Sequence, residues 1–158
     1  MSSDAVQSYQ FQQAAELLAG LSLAEDLPAE TRLDIKLAPE VLLQAVQALV
    51  DARWGYLSAI LGLDDGQETL EVLYSFCSGP YVLTLRAQTP RDDSRVPTIT
   101  GLIPSAILPE RELREMFGVE VVDIPDSSPL FLADDWPADV FPMRKDAVLP
   151  NFNEEQSS

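Results

Sequence analysis

Apolar residues recur along this chain with two different periods, and the changes of period mark its elements. Phe11, Ala14, Ala15, Leu18 and Leu21 recur at helical spacing, so the segment from about Ser8 to Leu21 reads as an amphipathic helix. Asp26 to Glu30 reads as a polar, proline-containing link. Leu33, Ile35 and Leu37 alternate with Arg32, Asp34 and Lys36, the two-residue period of a strand with one buried face. Pro39 suits the first turn of a second helix, Leu42, Ala45, Val46 and Leu49 form its apolar stripe, and Gly55 supplies a left-handed stop.

Tyr56 to Leu63 is apolar, Asp64-Asp65-Gly66 is turn chemistry, and Leu70, Val72, Tyr74 and Phe76 alternate with more polar neighbours, which together predict a hairpin. A further strand runs from Tyr81 to Ala87. Gln88 to Pro97 reads as an exposed loop, with a brief return to the sheet at Thr98 to Gly101. With a last helix near residues 109–118, the order is α-β-α-β-β-β-α. Strands adjacent in sequence favour antiparallel pairing, which predicts an α+β fold: a two-layer sandwich with a mixed, mostly antiparallel sheet and helices on one face. Residues 1–118 would form this domain, and residues 119–158 an extended tail in which five prolines between Pro125 and Pro150 suppress regular structure. The tail also carries Leu130, Phe131, Leu132, Trp136, Phe141 and Met143, too much apolar surface for a solvated linker. It must pack on its own domain, on another protein, or on both.

Charge and composition narrow the chemistry. Acidic residues outnumber basic ones 26 to 10 in 158 residues, a formal charge of −16 that repels nucleic acid and anionic headgroups. No stretch resembles a membrane span, and Met1 to Gln13 lacks the order of a signal peptide, so the expected location is the cytoplasm, without direct membrane insertion. Cys77 is the only cysteine and histidine is absent, which removes disulfides, Cys-ligated clusters and every His-based triad. Asp64-Asp65 and Asp92-Asp93 lack the ligand spacing of a calcium loop and read as turn acids. The glycines form no nucleotide-binding fingerprint. The sequence therefore nominates no catalytic residue, metal or cofactor.

The segment Pro109-Glu110-Arg111-Glu112-Leu113-Arg114-Glu115-Met116-Phe117-Gly118-Val119 is first of all a short helix. Glu110 and Glu112 sit where the helix dipole favours anions, Glu110 and Arg114 are spaced for an i,i+4 pair, and Gly118 closes the helix. The string also resembles the signature ERE-x-x-(D/E)-x-FG-(I/V) of the 30 kDa subunit family of NADH:quinone oxidoreductase (respiratory complex I). Asp134-Asp135-Trp136-Pro137 and Pro142-Met143-Arg144-Lys145-Asp146 follow at a suitable distance, the latter resembling the family's terminal P-L-R-K-D.

This resemblance implies a non-catalytic structural subunit of the hydrophilic arm, without a redox group of its own. It would pack on a large, hydrogenase-like quinone-module subunit and near iron–sulfur subunits, peripheral to the inner face of the membrane through those partners. Glu110, Arg111, Glu112, Phe117, Gly118, Trp136, Pro142, Arg144, Lys145 and Asp146 carry over as motif residues with structural or partner-binding work. Arg111 and Arg144 are forks suited to carboxylates, either a partner's or those of the chain's own tail. One stretch departs from the family pattern: where many members have His-Pro-Asp followed by two arginines, this chain has Ile124-Pro125-Asp126-Ser127-Ser128-Pro129. That points to a different partner surface or to the homologous subunit of energy-converting nickel–iron hydrogenases. A free-standing acidic interaction module and a hydrolase built on paired carboxylates are the readings from other classes.

Overall fold

The computed structural model describes residues 3–151, with side chains from Tyr9 onward. Helix α1 (Ser3–Leu17) precedes a strand pair, β1 (Ser22–Ala29) and β2 (Arg32–Leu37). A single 3-10 turn at Pro39–Val41 leads into α2 (Leu42–Asp51). Strands β3 (Tyr56–Asp64), β4 (Thr69–Ser78) and β5 (Tyr81–Pro90) then form a meander, and β2 inserts alongside β5 to give the order β1-β2-β5-β4-β3. Every neighbouring pair is antiparallel except β2 with β5. That one parallel pairing requires a crossover, which the chain makes through α2.

Strand alternation sorts the side chains as the sequence pattern requires. Leu33, Ile35 and Leu37 of β2, Leu83, Leu85 and Ala87 of β5, and Leu70, Val72, Tyr74 and Phe76 of β4 are buried on one face, where the helices lie. Phe11 of α1 meets Tyr81 edge to face, with ring centroids 5.4 Å apart. The indole N–H of Trp54 donates to the Gln10 carbonyl at 3.1 Å, tying the end of α2 to α1. Each fully buried leucine of this layer contributes about 1.5–3 kcal/mol. The opposite face is open and polar, and at its centre Arg86 bridges Asp34 at 2.9 Å and Glu71 at 2.6 Å.

The two-layer α+β architecture with helices on one face is present, but the element order is longer than α-β-α-β-β-β-α. Residues 26–30, read as a link, belong mostly to β1, an edge strand whose residues beyond Ser22 are all exposed, so it carries no alternation to detect. Thr98 to Gly101 is a turn. The strand lies just before it, at β6 (Arg95–Pro97), which pairs in parallel with β7 (Glu120–Val122) in a separate two-stranded sheet. The Thr98 amide extends that pairing to the Val122 carbonyl at 2.9 Å. The first helix ends before Leu21, because the chain turns out through Gly20 at φ 82°. Residues 152–158 of the expected tail lie outside the described residues.

Candidate partner-binding site

The signature string folds as helix α3 (Ile107–Phe117), preceded by a 3-10 turn at Pro104–Ala106. Pro109 fits the first turn, where no intrahelical bond is lost. Gly118 takes φ 65° and its amide closes on the Arg114 carbonyl at 3.0 Å. A Cβ on Gly118 would lie 2.5 Å from the Phe141 ring, so the left-handed backbone and the close approach of the tail both demand glycine.

Glu110 does not pair with Arg114. It is fully buried and accepts from the Ile99 amide at 2.7 Å and the Thr98 hydroxyl at 2.6 Å, fastening the turn after β6 to the helix. The first turn of α3 points at that loop, so proximity to its free amide and hydroxyl outweighs the i,i+4 option. Burial pushes the Glu110 carboxyl above its ordinary value, and the two hydrogen bonds oppose this only in part.

Several of the other motif residues hold the chain's own tail. Arg111 donates through Nε to the Ser128 carbonyl at 2.9 Å and through Nη2 to that of Pro129 at 2.8 Å, with the Asp126 carboxylate 3.3 Å from Nη1. Asp126 is held below its ordinary value by the hydroxyl and amide of Ser128 and by Arg111. Arg144 donates to the Phe117 carbonyl at 2.6 Å and lies 4.8 Å from the centre of the Phe141 ring. Half-buried Pro142 leads into Met143, whose amide bonds the Met116 carbonyl at 3.0 Å. The Trp136 indole bonds the Val140 carbonyl at 2.7 Å, closing a turn within the tail. Phe117 packs over Gly62 of β3, and exposed Glu112 borders an apolar groove between β3 and α3.

Three residues outside the nominated set complete the clamp. Glu115 accepts from the amides of Leu130 at 2.8 Å, Phe131 at 2.9 Å and Leu132 at 3.4 Å, so one carboxylate caps a nest of consecutive donors. Asp64, read as a turn acid, does accept the Gly66 amide, and it also receives the Lys145 amide at 2.8 Å and pairs with Arg91. Arg91 reaches on to Asp146 at 3.2 Å. Burial alone would raise the Asp64 carboxyl, but the Lys145 and Gly66 amides and the Arg91 guanidinium outweigh it and hold the group below its ordinary value. Glu115 is visible in the sequence as the acidic position of the signature. Nothing local marks Asp64 or Arg91.

The clamp fixes the tail's backbone but leaves several of its apolar side chains in solvent. Phe131 is 63% exposed, Met143 58%, Val148 84% and Leu149 59%. Among the described residues no group of three or more acidic or thiol side chains converges to hold a metal, and no helix is long and apolar enough to cross a membrane. The tail thus combines exposed apolar side chains with a hydrogen-bonded backbone.

Comparison with known proteins agrees with the motif reading. Residues 35–153 match the model of the family described as the respiratory-chain NADH dehydrogenase, 30 Kd subunit. Formate hydrogenlyase subunit 5 of Escherichia coli K12 is 29% identical over 138 residues, covering 84% of this chain but 24% of that protein, so the chain spans about a quarter of its length. NAD(P)H-quinone oxidoreductase subunit J of Prochlorococcus marinus NATL1A is 31% identical over 134 residues, covering 78% of this chain and 76% of that one. A chain of the membrane-bound sulfane sulfur reductase, an archaeal respiratory membrane complex, superposes with a TM-score of 0.77 over 95% of this chain and 90% of its own, at 18% identity, and so shares the fold. With three-quarters of its length matched to one family model and the signature helix in place, this chain belongs to the family of the 30 Kd subunit of respiratory-chain NADH dehydrogenase.

Proposed function

We propose that the chain is a non-catalytic structural subunit of the hydrophilic arm of a membrane-associated complex of the NADH:quinone oxidoreductase type, packing on a large, hydrogenase-like subunit and supporting it during electron transfer. The observation that carries this reading is the clamped tail. Arg111, Glu115, Arg144 and Asp64 are spent on holding its backbone, while Phe131, Met143, Val148 and Leu149 face outward. A chain that invests its polar groups in ordering an apolar surface has met much of the entropic cost of binding in advance. In this reading the α+β domain, which includes the buried Val119 and Val121 of the β7 region, is a platform, the exposed apolar side chains from Phe131 to Leu149 form the contact strip, and attachment to the membrane is indirect.

The formate hydrogenlyase relative favours a second reading, a counterpart subunit in a hydrogenase-type complex. In that relative the matched region is a quarter of a longer chain, so its three remaining quarters are covalently joined to it. The departure at Ile124 to Pro129 from the usual basic cluster fits that branch as well.

The test is affinity capture of the tagged full chain from gently solubilised membranes of its native host, with mass spectrometry of what is retained. Recovery of a large hydrogenase-like subunit with iron–sulfur subunits is the expected result, and the quinone- or hydrogenase-type subunits among them name the branch. Recovery of the chain alone, or turnover of a substrate by the pure chain, overturns the reading.

A further inference from the structure

The five-stranded sheet has two edges, and their sequences differ in kind. The β1 edge carries Glu25, Asp26 and Pro28, and charge and proline both deter pairing with a further strand. On the β3 edge the residues from Tyr56 to Leu63 include neither a charge nor a proline. Their backbone pairs with β4, and among the described residues the outward-facing amides and carbonyls have no partner. An edge of this kind is a template for one more strand.

A groove of about 170 Å³ lies along it. Ile60 and Gly62 stand opposite Tyr74 and Val72 on the buried face, whereas Leu61, opposite Leu73, points to the other face. All three line the groove, so it sits at the strand edge itself and not over one face. Helix α3 supplies Leu113, Met116 and Phe117, and Met143 of the exposed tail strip joins the lining. The space suits one side chain of about the size of a benzene ring. Exposed Glu112 is the only charged residue in the lining.

We propose that an extended segment of the partner subunit pairs with β3 as a further strand, seating one apolar side chain in the groove between β3 and α3 and a basic residue beside Glu112. The proposal rests on the partner-subunit reading above and adds to it the mode of one contact. Strand addition draws affinity from main-chain bonds, which the bare edge supplies, and specificity from alternate side chains, which the groove and Glu112 select. Charge makes the occupant a different protein. A second copy would bring its own net charge of −16 to this edge. The chain's own residues 152–158 offer one apolar side chain and two glutamates, the wrong sign for Glu112.

The experiment follows amide hydrogen exchange in the full chain, free and in its captured complex. Exchange of alternate amides from Tyr56 to Leu63 is expected to slow by about tenfold or more on assembly, because a bonded amide exchanges only when it opens. Leu61→Lys, at a position already 56% exposed, puts a charge on the edge and should cut retained partner about tenfold with the thermal transition preserved. Glu112→Lys should cut it about threefold, a difference that narrows as salt is raised. Unchanged exchange in a complex that retains its partner, or undiminished retention by either variant, overturns the contact while leaving the subunit reading standing. Protection already present in the free chain also overturns it, and names the occupant: a second copy if dilution removes the protection, the chain's own end if truncation after Asn151 does. Failure of the unaltered chain to retain any partner removes both readings.

Discussion

The Lys145 backbone amide donates to the Asp64 carboxylate at 2.8 Å, joining the end of strand β3 to the tail across 81 residues of sequence. Through Asp64 the same point gathers Arg91, and through Arg91 it gathers Asp146. The distal tail is thus held by a buried carboxylate of the core domain and not by its own propensities, which five prolines make poor. Asp64→Ala should release residues from about Lys145 onward while leaving the sheet intact. Limited proteolysis is expected to cleave the tail about tenfold faster than in the parent, with the thermal transition of the domain preserved. Equal cleavage rates would show that the latch contributes nothing to tail docking.

Acid should open the same latch. A carboxylate held below its ordinary value contributes stability that is complete above that value and lost as pH falls through the depressed one. Asp64 and Asp126 are both of this kind, so tail docking is constant at neutral pH and weakens below about pH 4. In a Trp54→Phe background Trp136 is the sole tryptophan, and its quenching by acrylamide should rise in that window. Asp64→Asn should weaken docking already at pH 7 and flatten the dependence. A quenching profile that begins to rise near pH 6 would contradict this assignment.

What the sequence exposes and what it hides follow from how each feature is encoded. Strands β2, β4 and β5 alternate because one face is buried, and α2 shows its stripe for the same reason, so these elements are legible. β1 is not, since an exposed edge strand has no period to report. The motifs name Arg111 and Arg144 but not their work, because their partners are backbone carbonyls, of the tail for Arg111 and of Phe117 in α3 for Arg144, and a carbonyl is present at every residue. Helical spacing places Glu110 on the right helix and gives it the wrong neighbour: i,i+4 spacing says which side chains can meet on an isolated helix, while the loop packed against that helix decides which do. Asp64 and Arg91 form a contact between distant segments that no local pattern records.

Two glycines are required by what packs on them, and they should respond differently. A Cβ on Gly62 would lie 2.4 Å from the Phe117 ring, a purely steric conflict that the ring can relieve by shifting toward the groove between β3 and α3. Gly62→Ala should cost about 1–3 kcal/mol. Gly118→Ala meets the Phe141 ring and must also hold φ 65°, so strain and clash combine and the loss should exceed that at Gly62. Chemical denaturation of both variants checks the order. A larger loss at Gly62 would mean that the tail yields more readily than the helix does.

Glu110 and Tyr74 are both fully buried, and the Glu110 carboxylate acts electrostatically on the Tyr74 hydroxyl. The Tyr74 hydroxyl is buried and has no hydrogen-bond partner among the described residues, and its ionisation is pushed up by burial and by the Glu110 carboxylate. Tyr74→Phe removes an unpaired polar atom without opening a cavity, so it should be neutral or stabilising by up to about 1–2 kcal/mol. At Glu110 the sign depends on pH. Its carboxyl lies above the ordinary value in the folded state, so protonation favours folding, and stability is lost as pH rises through that raised value. Glu110→Gln retains an acceptor for the Ile99 amide and has no charge to bury. Its stability relative to the parent should therefore improve from pH 4 toward pH 8. Glu110→Leu leaves the Ile99 amide and Thr98 hydroxyl unpaired and should cost about 1–3 kcal/mol at either pH. Urea unfolding of the three variants at pH 4, 6 and 8 measures all of this together. If Glu110→Gln instead loses ground as pH rises, the ionised carboxylate is the form that holds the loop after β6, and its two hydrogen bonds outweigh the cost of its burial.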